Sequence, residues 1–165
     1  MSFSSLLFSQ STIKSDSKEI KVYVFLSETC PICQSYTLTL KKLYNKYNSQ
    51  NVVFIAVFSN YYSSSDNIQA FQKKYDFPFE TILDQQGLVA KELGATITPE
   101  VFIQNEEGKT VYSGRIDDTF YAIGKRRNVI KSNDLEDALS QLISKQPIKN
   151  PKTKAVGCVI TTGSK

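Results

Sequence analysis

Histidine and tryptophan are both missing from this chain. Without an imidazole there is no Ser-His-Asp or Cys-His nucleophile, no histidine-ligated metal and no c-type haem attachment, since Cys33 is followed by Gln34. Cysteine is scarce, and the three present cannot form a fully paired disulfide framework. No segment reaches the roughly 20 consecutive apolar residues of a membrane-spanning helix. Nor does one sign of charge dominate. Twenty basic against 16 acidic residues leave a net charge of +4, spread along the chain as on an ordinary solvated surface rather than gathered into a nucleic-acid footprint. The densest basic run, Lys125-Arg126-Arg127, is too short to change that.

What is there suits one domain. The chain has 165 residues, 41% of them hydrophobic, enough to bury a sizeable core. Residues 1–18 read as a flexible N-terminal segment. Its apolar patch, Leu6-Leu7-Phe8, lacks a basic start and is shorter than a secretory signal needs, so a tail is favoured over the remnant of a trimmed signal. Residues 19–146 read as the folded domain. Residues 147–165, with Pro147, Pro151 and several lysines, read as an extended tail.

Ile20 to Leu26 is a β-rich run that becomes wholly apolar, as in a central strand covered on both faces. From Pro31 to Tyr47 the spacing turns helical, with Cys33, Tyr36, Thr37, Leu40, Leu43, Tyr44 and Tyr47 on one stripe. Pro31 suits a first helical position. Asn51 to Phe58 is a second buried strand, and strand–helix–strand at this length implies a parallel, right-handed unit. A helix through Ile68, Phe71 and Tyr75 follows, then an edge strand Phe79–Leu83 and a short helix Leu88–Leu93 stopped by Gly94. Beyond Pro99, a strand Glu100–Gln104 turns at Asn105–Gly108 into Thr110–Ser113. Residues 117–131 read as a basic, aromatic-containing loop with one helical turn. Asn133 and Glu136 have the spacing of a capping box for a last helix. The sum is an α/β fold with a mixed central sheet, a parallel unit plus an antiparallel hairpin, and helices on both faces.

Thr29-Cys30-Pro31-Ile32-Cys33 carries the chemistry. If Cys30 sits where a strand gives way to a helix, the helix dipole and the free N–H groups favour its thiolate, the reactive species. Cys33 then lies one turn deeper, placed to attack a mixed disulfide. Cys30 is accordingly expected to be the exposed nucleophile and Cys33 the resolving thiol. A single C-x-x-C pair with no fourth ligand argues against zinc, so no metal and no bound cofactor are expected beyond the redox-active disulfide itself.

These residues resemble the thioredoxin superfamily over roughly residues 20–144, through Cys30-Pro31-Ile32-Cys33 after the first strand and Thr98-Pro99 before the hairpin strand. The resemblance implies a thioredoxin-like fold with a cis bond before Pro99, and Thr98 and Pro99 as the wall that holds a substrate chain by backbone hydrogen bonds. The pattern Phe77-Pro78, Asp84, Gly87, Leu93-Gly94, Thr98-Pro99, Phe102-Ile103 and Gly108 is most similar to the peroxiredoxin-like redoxins. Gly114-Arg115-Ile116-Asp117-Asp118, Gly124-Lys125-Arg126, Asp134 to Leu139 and Ala155-Val156-Gly157-Cys158 resemble a bacterial redoxin subgroup whose members are often exported. This implies an extracytoplasmic location, where disulfides persist.

The chain departs from thioredoxin itself at Thr29, where that family usually has Trp, and at Val24, where it has a buried acid. Glu28, and also Glu80 or Asp84, are candidate substitutes for that acid, with a solvated carboxylate the favoured reading of each. The peroxidatic pattern, a Thr three residues before the reactive cysteine, is met by neither Cys30 nor Cys33. Arg115 has two readings: support for a thiolate or bound peroxide, or an exposed ion pair with Asp117 and Asp118. Cys158 is either a second resolving cysteine or, as the sequence favours, a tail thiol without a catalytic part. The functional expectation is a thiol–disulfide oxidoreductase acting on protein thiols and disulfides with an external electron donor. A thiol peroxidase and a non-enzymatic binding module are the alternatives.

Overall fold

The computed structural model describes residues 18–163. All but the last residue of the N-terminal segment, including Leu6, Leu7 and Phe8, therefore falls outside the described residues. Strand β1 (Ile20–Phe25), helix α1 (Pro31–Tyr47) and strand β2 (Val52–Phe58) form the parallel unit, with Val22 opposite Phe54 and Val24 opposite Ala56. Helix α2 (Ser65–Tyr75) is capped by the Ser64 hydroxyl, which accepts from the Asn67 N–H at 3.2 Å. Strand β3 (Glu80–Leu83) adds to β2 in parallel. Helix α3 (Leu88–Leu93) stops at Gly94, whose φ of 81° lies in the left-handed region.

Strand β4 (Ile97–Thr98) leads through a cis Thr98–Pro99 bond into β5 (Glu100–Gln104). Strand β6 (Thr110–Gly114) returns antiparallel after a turn in which the Asn105 carboxamide oxygen accepts from the N–H groups of Glu107 and Lys109. The sheet order is β3-β2-β1-β5-β6.

Because strand side chains alternate between faces, the sheet serves two cores. Val22, Val24, Phe54, Ala56, Phe58, Val101 and Ile103 face α1, α2 and the last helix, α4 (Asp134–Ile143). Tyr23, Phe25, Val57 and Phe102 face Ala90 of α3. Helices thus cover both faces of a mixed sheet, as expected. The buried stripe of α1 is the one its spacing indicated, with Ile32 added and Tyr44 only half-buried.

Two local expectations are corrected. Residues 117–131 contain no helical turn; Phe120–Ala122 (β7) and Lys125–Arg126 (β8) pair as a small antiparallel hairpin around Gly124, whose φ is 70°. The capping box does not form either. Asn133 makes no side-chain cap bond, and Glu136 instead accepts from Lys46 Nζ at 2.6 Å. The start of α4 is held by Asp134, whose carboxylate accepts from Ser132 Oγ and from Arg115 Nε.

The segment after α4 runs back along the sheet to the carboxyl ends of β1 and β2. The Ser113 N–H donates to the Pro151 carbonyl and the Thr153 N–H to the Ser113 carbonyl, the Thr153 hydroxyl meets the Tyr112 hydroxyl at 2.8 Å, and Ala155 is buried. A short strand, β9 (Cys158–Val159), then pairs antiparallel with β4.

Candidate active site

Cys30 is the N-cap of α1, in extended conformation with φ −80° and ψ 117°. Leu26 ends the buried run of β1. The Ser27 carbonyl turns the chain by accepting from the Cys30 N–H at 3.2 Å, and Pro31 opens the helix. The Cys30 sulfur therefore faces the positive end of a 17-residue helix. Cys33, one turn further in, belongs to the buried stripe of α1 and is wholly enclosed.

The two thiols are driven apart in acidity. Cys30 is lowered to about 5, chiefly because the Cys33 thiol donates a hydrogen bond to it; burial opposes this, and the Cys158 thiol and the N–H groups of Cys33 and Ile32 assist. Cys33 is raised well above an ordinary thiol, first by burial and then by the Cys30 sulfur beside it. At neutral pH the arrangement holds one thiolate solvated by thiols and amides instead of water.

The wall of the site is Thr98 and Pro99. The Thr98 carbonyl oxygen lies 3.7 Å from Cys30 Sγ, across 68 residues of sequence. Strand β9 covers this wall. Its register sets Thr98 opposite Cys158 and Ile97 opposite Val159, and Cys158 Sγ stands 2.7 Å from Cys30 Sγ. Burial and the contact with Cys30 push the Cys158 thiol up to about 11.

Two expectations change at this point. Cys30 is only 2% exposed, so it is not the open nucleophile that the sequence suggested; the returning tail covers it. Cys158 is no detached tail thiol, since its sulfur touches that of Cys30. The available signal was the apolar, β-branched run Val156-Gly157-Cys158-Val159-Ile160, which suits a strand better than a solvated tail.

The other sequence candidates divide. Thr29 and Pro31 flank Cys30 in sequence and are exposed. Glu28 lies behind it. One of its carboxylate oxygens accepts from Ser63 Oγ at 2.9 Å, and the other is buried without a protein partner. Ser27 Oγ meets Tyr62 OH at 3.2 Å, a contact that the sequence did not suggest. Asp84 is structural: it accepts from Ser59 Oγ and from the Val89 and Ala90 N–H groups at the start of α3. Glu80 is exposed on the edge strand.

Arg115 does not pair with Asp117 or Asp118. It binds Asp134 at 2.7 Å and Ser132 at 3.1 Å. Asp117 accepts instead from the buried Tyr36 hydroxyl, and Asp118 from the N–H groups of Lys131 and Ser132. Among the described residues no group of three or more His, Cys, Asp or Glu is arranged to hold a metal ion.

Comparison with known proteins identifies the family and the fold. The Redoxin family model matches residues 8–124. Thiol-disulfide oxidoreductase ResA of Halalkalibacterium halodurans is 30% identical over 87 residues, covering 53% of this chain and 48% of that protein. The chain thus spans about half the length of this curated relative. Among solved structures, an uncharacterized conserved protein from Geobacillus kaustophilus superposes with a TM-score of 0.79 at 26% identity, over 90% of this chain and 80% of the other. StoA from Bacillus subtilis shares the fold, with a TM-score of 0.53 at 22% identity over 59% of this chain and 74% of its own.

Proposed function

We propose, on the premise that this chain belongs to the Redoxin family, that it is a thiol–disulfide oxidoreductase that exchanges dithiol for disulfide with protein substrates through Cys30 and Cys33. The observation that carries the proposal is the thiolate-favouring environment of Cys30 beside the Thr98 carbonyl, with a protonated, enclosed thiol one turn behind it.

The Cys30 thiolate attacks one sulfur of a substrate disulfide. A bond forms between Cys30 and that sulfur, the substrate bond breaks, and the departing thiolate takes up a proton. Cys33 then attacks Cys30 Sγ, closing the Cys30–Cys33 disulfide and releasing the second substrate thiol. The first step readies the second. The Cys30 thiolate is one of the causes that hold the Cys33 proton in place, and once Cys30 is bonded to substrate that charge is gone. No His is available to carry the proton, so the leaving substrate thiolate is its natural acceptor. Thr98 and Pro99 supply the backbone edge for an extended substrate segment, as in strand addition to an open sheet edge. An external dithiol returns the pair to its reduced state.

Catalysed reduction of insulin by dithiothreitol tests the reading. Wild-type protein accelerates precipitation of the freed chains, and Cys30→Ser abolishes the acceleration. A wild-type rate equal to dithiothreitol alone overturns it. The named activity of the curated relative supports this reading over the peroxidase, as does the missing Thr three residues before either cysteine. An extracytoplasmic site of action fits the same chemistry; no helix among the described residues is long and apolar enough to cross a membrane.

A further inference from the structure

The proposed substrate wall is already occupied by the protein's own chain. Strand β9 lies antiparallel to β4, the Ile160 N–H donates to the Thr96 carbonyl at 2.9 Å, and the Thr98 hydroxyl donates to the Cys158 carbonyl at 3.4 Å. The approach on either side is fixed. Upstream, the Arg115 N–H donates to Thr153 Oγ1, where Gly114 leaves no room for a Cβ. Downstream, the Tyr61 N–H donates to the Thr161 carbonyl, and the Thr161 N–H donates to the Asn60 carboxamide oxygen at 2.8 Å. Ile160 packs into the core on the α3 side of the sheet. A segment pinned at both ends, with Gly157 fitted against the Thr98 carbonyl, delivers Cys158 to Cys30.

The sulfur separation of 2.7 Å is shorter than the roughly 3.5–4.0 Å at which unbonded heavy atoms usually rest and longer than the ~2.05 Å of a disulfide. The two sulfurs need to approach by less than an ångström to bond.

We infer that Cys158 is a third redox cysteine, and that residues 155–161 are an internal occupant of the substrate wall that bonds to the nucleophile when the protein is oxidised. This inference rests on the reading of Cys30 as the nucleophile. The step is an exchange within one chain. The Cys158 thiolate attacks Cys30 Sγ of the Cys30–Cys33 disulfide; the Cys30–Cys158 bond forms, the Cys30–Cys33 bond breaks, and Cys33 leaves as a thiolate that takes the proton Cys158 gave up. No electrons are gained or lost in this step. The two-electron oxidation of the chain came earlier, from a substrate disulfide. Attack of Cys33 on Cys30 Sγ runs the exchange backwards.

In the reduced state β9 is held to β4 by a two-residue ladder and a few hydrogen bonds, with no covalent bond, so an extended substrate segment can compete for the same edge. In the Cys30–Cys158 state the same strand is bolted across the wall. The oxidised protein therefore withholds its nucleophile from further partners until an external thiol, or Cys33, opens the bond.

The test uses the full chain equilibrated with oxidised and reduced glutathione, quenched, alkylated, cut with trypsin and weighed without reduction. Cleavage after Lys21, Lys41 and Lys154 puts Cys30 and Cys33 on one peptide and Cys158 on another. Wild type yields the two peptides linked. Cys33→Ser raises the linked fraction several-fold, and Cys30→Ser removes it. The inference is overturned if oxidised Cys33→Ser keeps Cys158 free to alkylate, or if the link survives in Cys30→Ser. Insulin reduction by Cys158→Ser keeps the two readings apart. Activity in both proteins without a link sinks only the role of Cys158, whereas inactivity of both sinks the oxidoreductase reading itself. With the link present, Cys158→Ser reduces insulin several-fold faster than wild type when dithiothreitol is limiting.

Discussion

Gly157 lies so close to the Thr98 carbonyl that a Cβ at its position would stand 1.9 Å from the oxygen. The neighbour is main chain next to Pro99, with no flexible side chain to swing away. The cover over Cys30 therefore depends on one residue having no side chain. Gly157→Ala is expected to lift the strand and raise the rate of Cys30 alkylation by iodoacetamide several-fold, with the fold intact by circular dichroism. An unchanged rate would mean that the tail does not shield the sulfur.

The depressed pKa of Cys30 predicts a pH signature. Its folded value of about 5 lies below the 9.0 of an ordinary thiol, so between those limits the unfolded chain binds more protons than the folded one. Stability is expected to rise with pH across this window and to be lost as pH falls through about 5. Cys158 acts with the opposite sign: raised from 9.0 to about 11, it makes stability fall as pH climbs through that higher range. Urea denaturation across pH, compared with Cys30→Ser, checks this. The variant should lose most of the rise between pH 5 and 9.

Cys158 also acts on the reduced protein as a hydrogen-bond donor to the Cys30 thiolate. Cys158→Ala removes that donor and should move the Cys30 ionisation upward, read from the pH dependence of alkylation or from thiolate absorbance. Cys158→Ser, which retains a donor, should shift it less. Equal profiles for all three proteins would show that the contact is not electrostatically coupled.

Arg115 and Asp134 form a structural pair, with the carboxylate buried and the guanidinium about one-third exposed. Asp134→Ala is expected to cost about 1–3 kcal/mol, the usual range for losing charge-assisted bonds to a partly buried group, while thiol chemistry at Cys30 is unchanged. Chemical denaturation and the alkylation rate measure the two halves of that statement. A slowed alkylation with normal stability would return Arg115 to the reaction centre.

The sheet and its helices were legible because strand alternation and the stripe of α1 are local patterns, each complete within a few residues. Cys30 and Cys33 were legible for the same reason, since three residues of spacing and a preceding buried strand carry the geometry. What could not be read was contact at long range. Arg115 stands beside two acids in sequence but bonds to a third 19 positions away, because Asp117 and Asp118 are already claimed by Tyr36 and by the loop before α4. The β7–β8 hairpin has strands of three and two residues, too short to show a period. The exposure expected of Cys30 failed because the strand that hides it enters from the far end of the chain.

The sequence separation of 128 positions from Cys30 to Cys158 has a thermodynamic consequence. A bond between Cys30 and Cys33 closes a loop too small to restrain much of an unfolded chain. A bond from Cys30 to Cys158 ties most of the molecule into a ring. By chain-entropy reasoning, a ring of that size is worth on the order of 5 kcal/mol to the folded form. One sulfur's choice of partner would then set how hard the whole protein is to unravel, and a thermometer could report the redox state of its surroundings.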